Sequence, residues 1–140
     1  MACVQRIAGL LMVGAVAACA DMISPDMGTA VSGEQFEHEI AGHVMSFKTP
    51  DNRLAEAQFQ PGGTAVYSGD FMDGVGRWRA APKGYCALYP WLGRTAAARP
   101  AFGGPPDEEG YRCYDVRAVE GYYVLFDPDG TYAATLARVD

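Results

Sequence analysis

Phe59-Gln60-Pro61-Gly62-Gly63-Thr64 recurs as Phe126-Asp127-Pro128-Asp129-Gly130-Thr131, and each copy joins two runs rich in aliphatic and aromatic residues. Proline at the second turn position presets φ at about −65°, and the glycine two residues later is free to take the left-handed conformation that closes a bulged hairpin. Both copies read as hairpin tips. Between them stand Trp78 and the pair Cys86 and Cys113, which points to one domain of meandering hairpins closed by a disulfide.

Outward from the tips, apolar residues alternate with polar ones at period two, and turn residues interrupt them often. The pattern predicts strands at 43–48, 54–60, 64–68, 75–81, 85–90, 111–117, 121–126 and 131–138. Eight short strands with tight connections predict a mostly β fold, an antiparallel up-and-down barrel whose closure removes exposed edges. The inward set is read as Phe59, Val66, Trp78, Cys86, Leu88, Cys113, Val124, Phe126 and Leu136. Ahead of the strands, Ser32-Gly33-Glu34-Gln35 has capping-box spacing, Phe36 and Ile40 share a face, and Gly42 suits the residue past a helix end. A short helix over 33–41 is expected, lying against the sheet or plugging one barrel end.

The first residues are not part of that domain. One basic side chain, Arg6, precedes an uncharged apolar run from Ile7 to Ala18. A run of about 12 residues is too short to span a bilayer, which takes ~20, and fits the apolar core of a signal peptide. Val16-Ala17-Ala18-Cys19 resembles the lipobox of bacterial lipoproteins. That resemblance implies cleavage before Cys19, a diacylglyceryl group on its thiol and acylation of its new amino group. Ala18-Cys19-Ala20 also satisfies ordinary signal cleavage after Ala20, so the two readings stand side by side. The division that follows is a lipoprotein signal peptide over 1–18, a lipid anchor and flexible tether over 19–31, and the barrel over 32–140. Residues 20–31, rich in turn formers and without periodicity, have an extended reach of at most ~40 Å.

Either cleavage leaves Cys86 and Cys113 as the two cysteines of an exported domain, which reads as a disulfide. Losing Arg6 leaves 10 basic against 17 acidic side chains, a balance of −7. An acidic domain is a poor partner for nucleic acid, whose affinity rests on neutralised phosphates.

The chemistry-bearing motifs are few. His38-Glu39-Ile40-Ala41-Gly42-His43 has one residue too many for the HExxH zinc helix, which turns the two histidines about 140° apart. Asp127-Pro128-Asp129-Gly130 is too short for a calcium loop. No serine elbow, diagnostic carboxylate pair or phosphate-cradling loop is present, so neither a cofactor nor a metal is expected. Arg77 and Arg79 flank Trp78 on the opposite, wet face. The interval 91–110 is longer than the ~4–6 residues of most connections. It brings Trp91, Arg94, Arg99 and Phe102 together as candidate binding residues, because aromatic and arginine side chains dominate interface energetics.

FxPxGT, Gly76-Arg77-Trp78, Cys86, Cys113 and FxPDGT, in that order, resemble a family of small, uncharacterised exported bacterial proteins. A weaker likeness is to the barrel-type periplasmic inhibitors of secreted metalloproteases. These resemblances imply a compartment and a shape. The expectation is a non-enzymatic lipoprotein of the bacterial cell envelope, its domain in the periplasm or on the outer face. Its barrel would act as a protein-recognition or inhibitor-like module for an envelope or secreted protein. The alternative is a barrel carrying a small apolar ligand; a hydrolytic enzyme has the least in the residues to support it.

Overall fold

The eight expected segments are all strands in the computed structural model, which describes residues 23–69, 72–90 and 106–140. They are β2 (Val44–Lys48), β3 (Leu54–Phe59), β4 (Thr64–Gly69), β5 (Gly74–Ala81), β6 (Gly84–Leu88), β7 (Arg112–Val119), β8 (Tyr122–Phe126) and β9 (Tyr132–Arg138). Each pairs antiparallel with its successor, and β9 returns to β2 from Met45↔Arg138 to Lys48↔Thr135. The sheet closes into an eight-stranded up-and-down barrel.

Turn chemistry explains the order. In both quoted tips the residue before the proline donates its N–H to the threonine carbonyl (Gln60 to Thr64 and Asp127 to Thr131, each 2.8 Å), while the glycine before the threonine donates back to the carbonyl of the residue before the proline. That glycine is left-handed, Gly63 and Gly130 both at φ 93°, where a Cβ costs ~1–2 kcal/mol. The same pair of bonds recurs at Thr49–Arg53, with Asn52 left-handed, and at Asp107–Tyr111, with Gly110. One turn design therefore serves four connections.

The helix α1 (Gly33–Glu39) plugs one end. Its capping box is complete: Gln35 N–H donates to Ser32 Oγ and Ser32 N–H to Gln35 Oε1. Phe36 and Ile40, both fully buried, turn into the barrel mouth. The Phe36 ring stacks on Tyr85 at 4.4 Å between centroids and meets Phe59 and Trp78 at 5.5 and 5.7 Å. The helix ends two residues earlier than expected, Ile40 capping it through a bond from its N–H to the Phe36 carbonyl.

Inside, the barrel is aromatic rings set among small residues. Phe47, Phe59, Tyr67, Trp78, Tyr85, Tyr89 and Tyr114 share the core with Ala55, Ala57, Ala65, Ala87, Ala133 and Ala134. Bulky rings need small neighbours across a narrow barrel, which is why the pattern reads Tyr and Ala. This corrects part of the expected inward set. Phe59, Trp78 and Leu136 do face in, whereas Val66, Leu88, Cys86, Cys113, Val124 and Phe126 belong to the outer face. The register shows it: Tyr85, opposite Tyr114, lies in the core, and Cys86, opposite Cys113, lies one residue on. Choosing the face by aliphatic bulk placed tyrosine on the wet side, where here it is the filler.

Burial pushes the pKa of Tyr67, Tyr85, Tyr89 and Tyr114 above the ordinary range, so these hydroxyls stay neutral. Tyr89 and Tyr114 share a hydrogen bond of 2.7 Å. Tyr67 Oη is buried with no hydrogen-bond partner among the described residues. An unpaired buried hydroxyl costs about 1–3 kcal/mol. Tyr67→Phe is therefore expected to raise stability by about 1 kcal/mol, and Tyr114→Phe to lower it by a similar amount, as read from urea midpoints.

Before the helix the chain departs from the tether reading. Thr29–Val31 form β1, paired with β7 from Thr29↔Ala118 to Val31↔Val116, directly beyond the point where β6 leaves that edge. Just upstream, Arg117 Nε donates to the Met27 carbonyl at 2.8 Å, and its Nη2 to those of Gly28 and Asp26 at 3.0 and 3.3 Å. Gly28, at φ 63°, passes so close that a Cβ on it would stand 2.2 Å from the Ala118 carbonyl oxygen. From Ser24 onward this arm is docked, because three carbonyls and a strand edge find partners on β7.

Candidate functional site

The correction of faces brings a candidate surface into view. Because Cys86 and Cys113 lie on the outside, their disulfide (S–S 2.04 Å) forms part of a surface depression rather than of the core. That depression, about 510 Å³, runs from Arg79 through Pro82 and Lys83 to Asp115. It adjoins a second of about 410 Å³, bounded by Pro25 of the docked arm, Arg117, Phe126 and the tip residues Pro128 and Asp129. Lys83 and Asp115 line both, so the two lobes make one groove along the outer face of β6, β7 and β8.

Each wall is held in place by the local chemistry of its sequence. Phe126 is only 2% exposed although it faces outward; its ring meets Tyr132 at 6.4 Å, and it shares its lobe with Pro25. Asp129 accepts from the Thr131 N–H at 2.9 Å, and those bonds to Thr131 hold its carboxyl below the usual carboxylate range. At the opposite rim Arg79 forks onto Asp107 (2.9 Å) and Glu109 (3.0 Å) and lies 4.0 Å from the Tyr111 ring centroid. Glu109 and Asp107 raise its pKa further. Arg79, read from sequence as wet-face charge, is thus a strut that fastens the Asp107–Tyr111 turn to β5.

No known protein family, curated protein or solved structure matches this chain. The eight-stranded barrel and its disulfide stand on strand pairing and sulfur geometry, and the likeness to exported bacterial proteins gains no named relative.

Of the residues singled out from sequence, Cys86 and Cys113 are joined as expected. Cys19 and the loop residues Trp91, Arg94, Arg99 and Phe102 lie outside the described residues. The two histidines are separated by the helix end, and His43 Nδ1 lies 3.4 Å from Asp140 Oδ2. Among the described residues no group of three or more His, Cys, Asp or Glu side chains gathers as metal ligands would. The groove itself was not read from sequence. Two signals pointed to it: Pro25 and Pro128 are the residue type that stiffens a surface, and Arg117 is a cation placed mid-strand.

Proposed function

We propose that the protein is a lipid-anchored module of the bacterial cell envelope that recognises another protein through this groove and performs no chemistry of its own. One observation carries the reading. The groove is walled by a disulfide, by a proline at each of its two turns, by a salt-bridged strut and by an arm hydrogen-bonded to β7. A surface whose side chains are already ordered loses little conformational entropy on binding, so such a surface is suited to a protein partner. The two lobes offer Phe126 and the prolines as apolar contact, with Lys83, Asp115 and Asp129 as polar edges. The aromatic filling of the interior supports recognition outside the barrel over carriage of a ligand within it. The lipobox-like Val16-Ala17-Ala18-Cys19 supports the anchor, and the weaker sequence resemblance to barrel-type protease inhibitors agrees with a protein target.

Photo-crosslinking amino acids placed in intact cells test the reading. Lys83 and Asp129, both exposed in the groove, are each expected to give the same discrete protein adduct, and Glu56, exposed on β3, to give none. Absence of adducts at all three positions, or the same adducts at Glu56, would remove the groove from the account.

A further inference from the structure

Barrel closure gives each of β2 to β9 a neighbour on both sides, and among the described residues β1 alone keeps an unpaired edge. β1 and β6 share one edge of β7, β6 along Arg112 to Asp115 and β1 along Val116 to Ala118. Register decides which backbone groups of β1 are used. In an antiparallel ladder, residue pairs that exchange hydrogen bonds alternate with closer pairs that do not. Val116 gives its N–H to the Lys83 carbonyl at 2.9 Å, so its backbone groups turn to this edge. Those of Ala118, two residues on, turn the same way and meet Thr29. Cys86 and Cys113, with Cα atoms 3.9 Å apart, are a close, unbonded pair on the same alternation. Ala30 stands opposite Arg117, at an unbonded position, so its N–H and C=O point away from β7. Among the described residues they meet no partner. Ala30 is exposed, and it lines the lobe of about 410 Å³ beside Lys83.

Resting on the reading of the groove as a recognition surface, we propose that the partner presents an extended segment, which pairs with Ala30 as a strand added to β1. An open strand edge selects extended backbone, because a chain lying about 4.8 Å away can offer one residue both a C=O and an N–H. A helix bonds those groups within itself and offers neither along its side. The charges agree. Lys83 and Asp115, which line the same lobe, form no ion pair among the described residues. One donor and one acceptor thus face the space beside Ala30, as the N–H and C=O of an uncharged peptide group require. β1 is also ordered in advance, since Arg117 holds the carbonyls of Asp26, Met27 and Gly28, so little freedom is lost when a strand joins it. Its shortness sets the selectivity. One bonding residue is too little edge to hold any passing strand, so side chains must add to it. An added strand turns every second side chain to the outer face, the face on which the groove lies.

The test uses the full chain with a photo-crosslinking amino acid at Asp129, which leaves Ala30 and Lys83 in place. The adduct formed in intact cells is purified folded, and its amide hydrogen exchange is compared with that of the uncrosslinked chain. The Ala30 N–H is expected to exchange freely in the uncrosslinked chain and to slow by about tenfold or more in the adduct, with the Ala118 N–H slow in both. Ala30→Pro removes that donor and no bond to β7, so the yield of adduct should fall by about tenfold while Ala118 stays slow. Ala30→Ser keeps the N–H and should keep the yield. Ala30 exchange as fast in the adduct as without it overturns the added strand and leaves the groove standing, since the adduct persists. An undiminished yield from Ala30→Pro, or an equal fall with Ala30→Ser, does the same. If the proline frees β1, seen as fast exchange at Ala118, the exchange comparison in the unaltered chain decides alone. Absence of any adduct at 129 removes the groove reading, and the added strand with it.

Discussion

Phe36→Ala is expected to cost about 3–5 kcal/mol, the range for emptying a buried phenylalanine site. The ring is fully buried and sits where α1 meets three other rings, stacked on Tyr85 and edge-on to Phe59. Those rings are held by strands on several sides, so they cannot collapse into the space. Alanine loses both the buried area and the ring contacts, each of which is worth about 0.5–1.5 kcal/mol. Against a total stability of ~5–15 kcal/mol for a domain of this kind, the plug is a large share. A urea titration should show the midpoint falling with the slope unchanged, since the same surface is exposed on unfolding. Phe36→Leu should cost well under half as much. A Phe36→Ala loss below about 1.5 kcal/mol would show that the helix contributes little to the closed barrel.

Replacing Cys86 and Cys113 together by alanine is expected to cost about 3.5 kcal/mol, by a different route. The two sulfurs join residues 27 positions apart and stand on the outer face, so alanine leaves no cavity among the core rings. The loss then comes from the unfolded chain, which gains freedom when a loop of about 28 residues opens. An unfolded state released in this way also exposes more surface, so the urea slope should steepen. The pair of experiments separates the two causes: the ring variant moves the midpoint alone, and the sulfur variant moves midpoint and slope. An unchanged slope in the sulfur variant would place its stabilisation in the folded state instead.

How much of this was legible beforehand depends on which physics was local. Hairpin tips are decided by three or four adjacent residues, so Pro61, Gly63, Pro128 and Gly130 announced themselves, and with them the strand order. The capping box of Ser32 and Gln35 is equally local. Strand faces depend on what the barrel needs to fill its bore, and that depends on all eight strands at once. Tyr67, Tyr85 and Tyr114 are therefore absent from the inward set read from sequence, and only register places them as filler beside Ala57 and Ala87.

The arm was hidden for a related reason. Residues 24–31 have no periodicity because one side chain from far along the chain, Arg117, together with the free edge of β7, holds their backbone carbonyls. The groove follows from that docking, since Pro25 is brought beside Phe126 and Pro128 only after β1 has paired. Thr49-Pro50-Asp51-Asn52 reads as a turn, and its kinship with the tips, like that of Asp107-Glu108-Glu109-Gly110, was the missed local signal. Each keeps enough of the tip pattern, an aspartate or proline followed by a left-handed Gly or Asn, to have been grouped with the two quoted copies.

The account holds that an anchored barrel presents its β6–β8 face to a partner near the membrane, and Cys19 is where that claim is most exposed. Intact-mass measurement of the protein from the membrane fraction tests it directly. The account predicts a chain that begins at Cys19 and carries a diacylglyceryl group and an amide-linked acyl chain, with Cys86 and Cys113 oxidised. An unmodified chain beginning at Asp21 would contradict it.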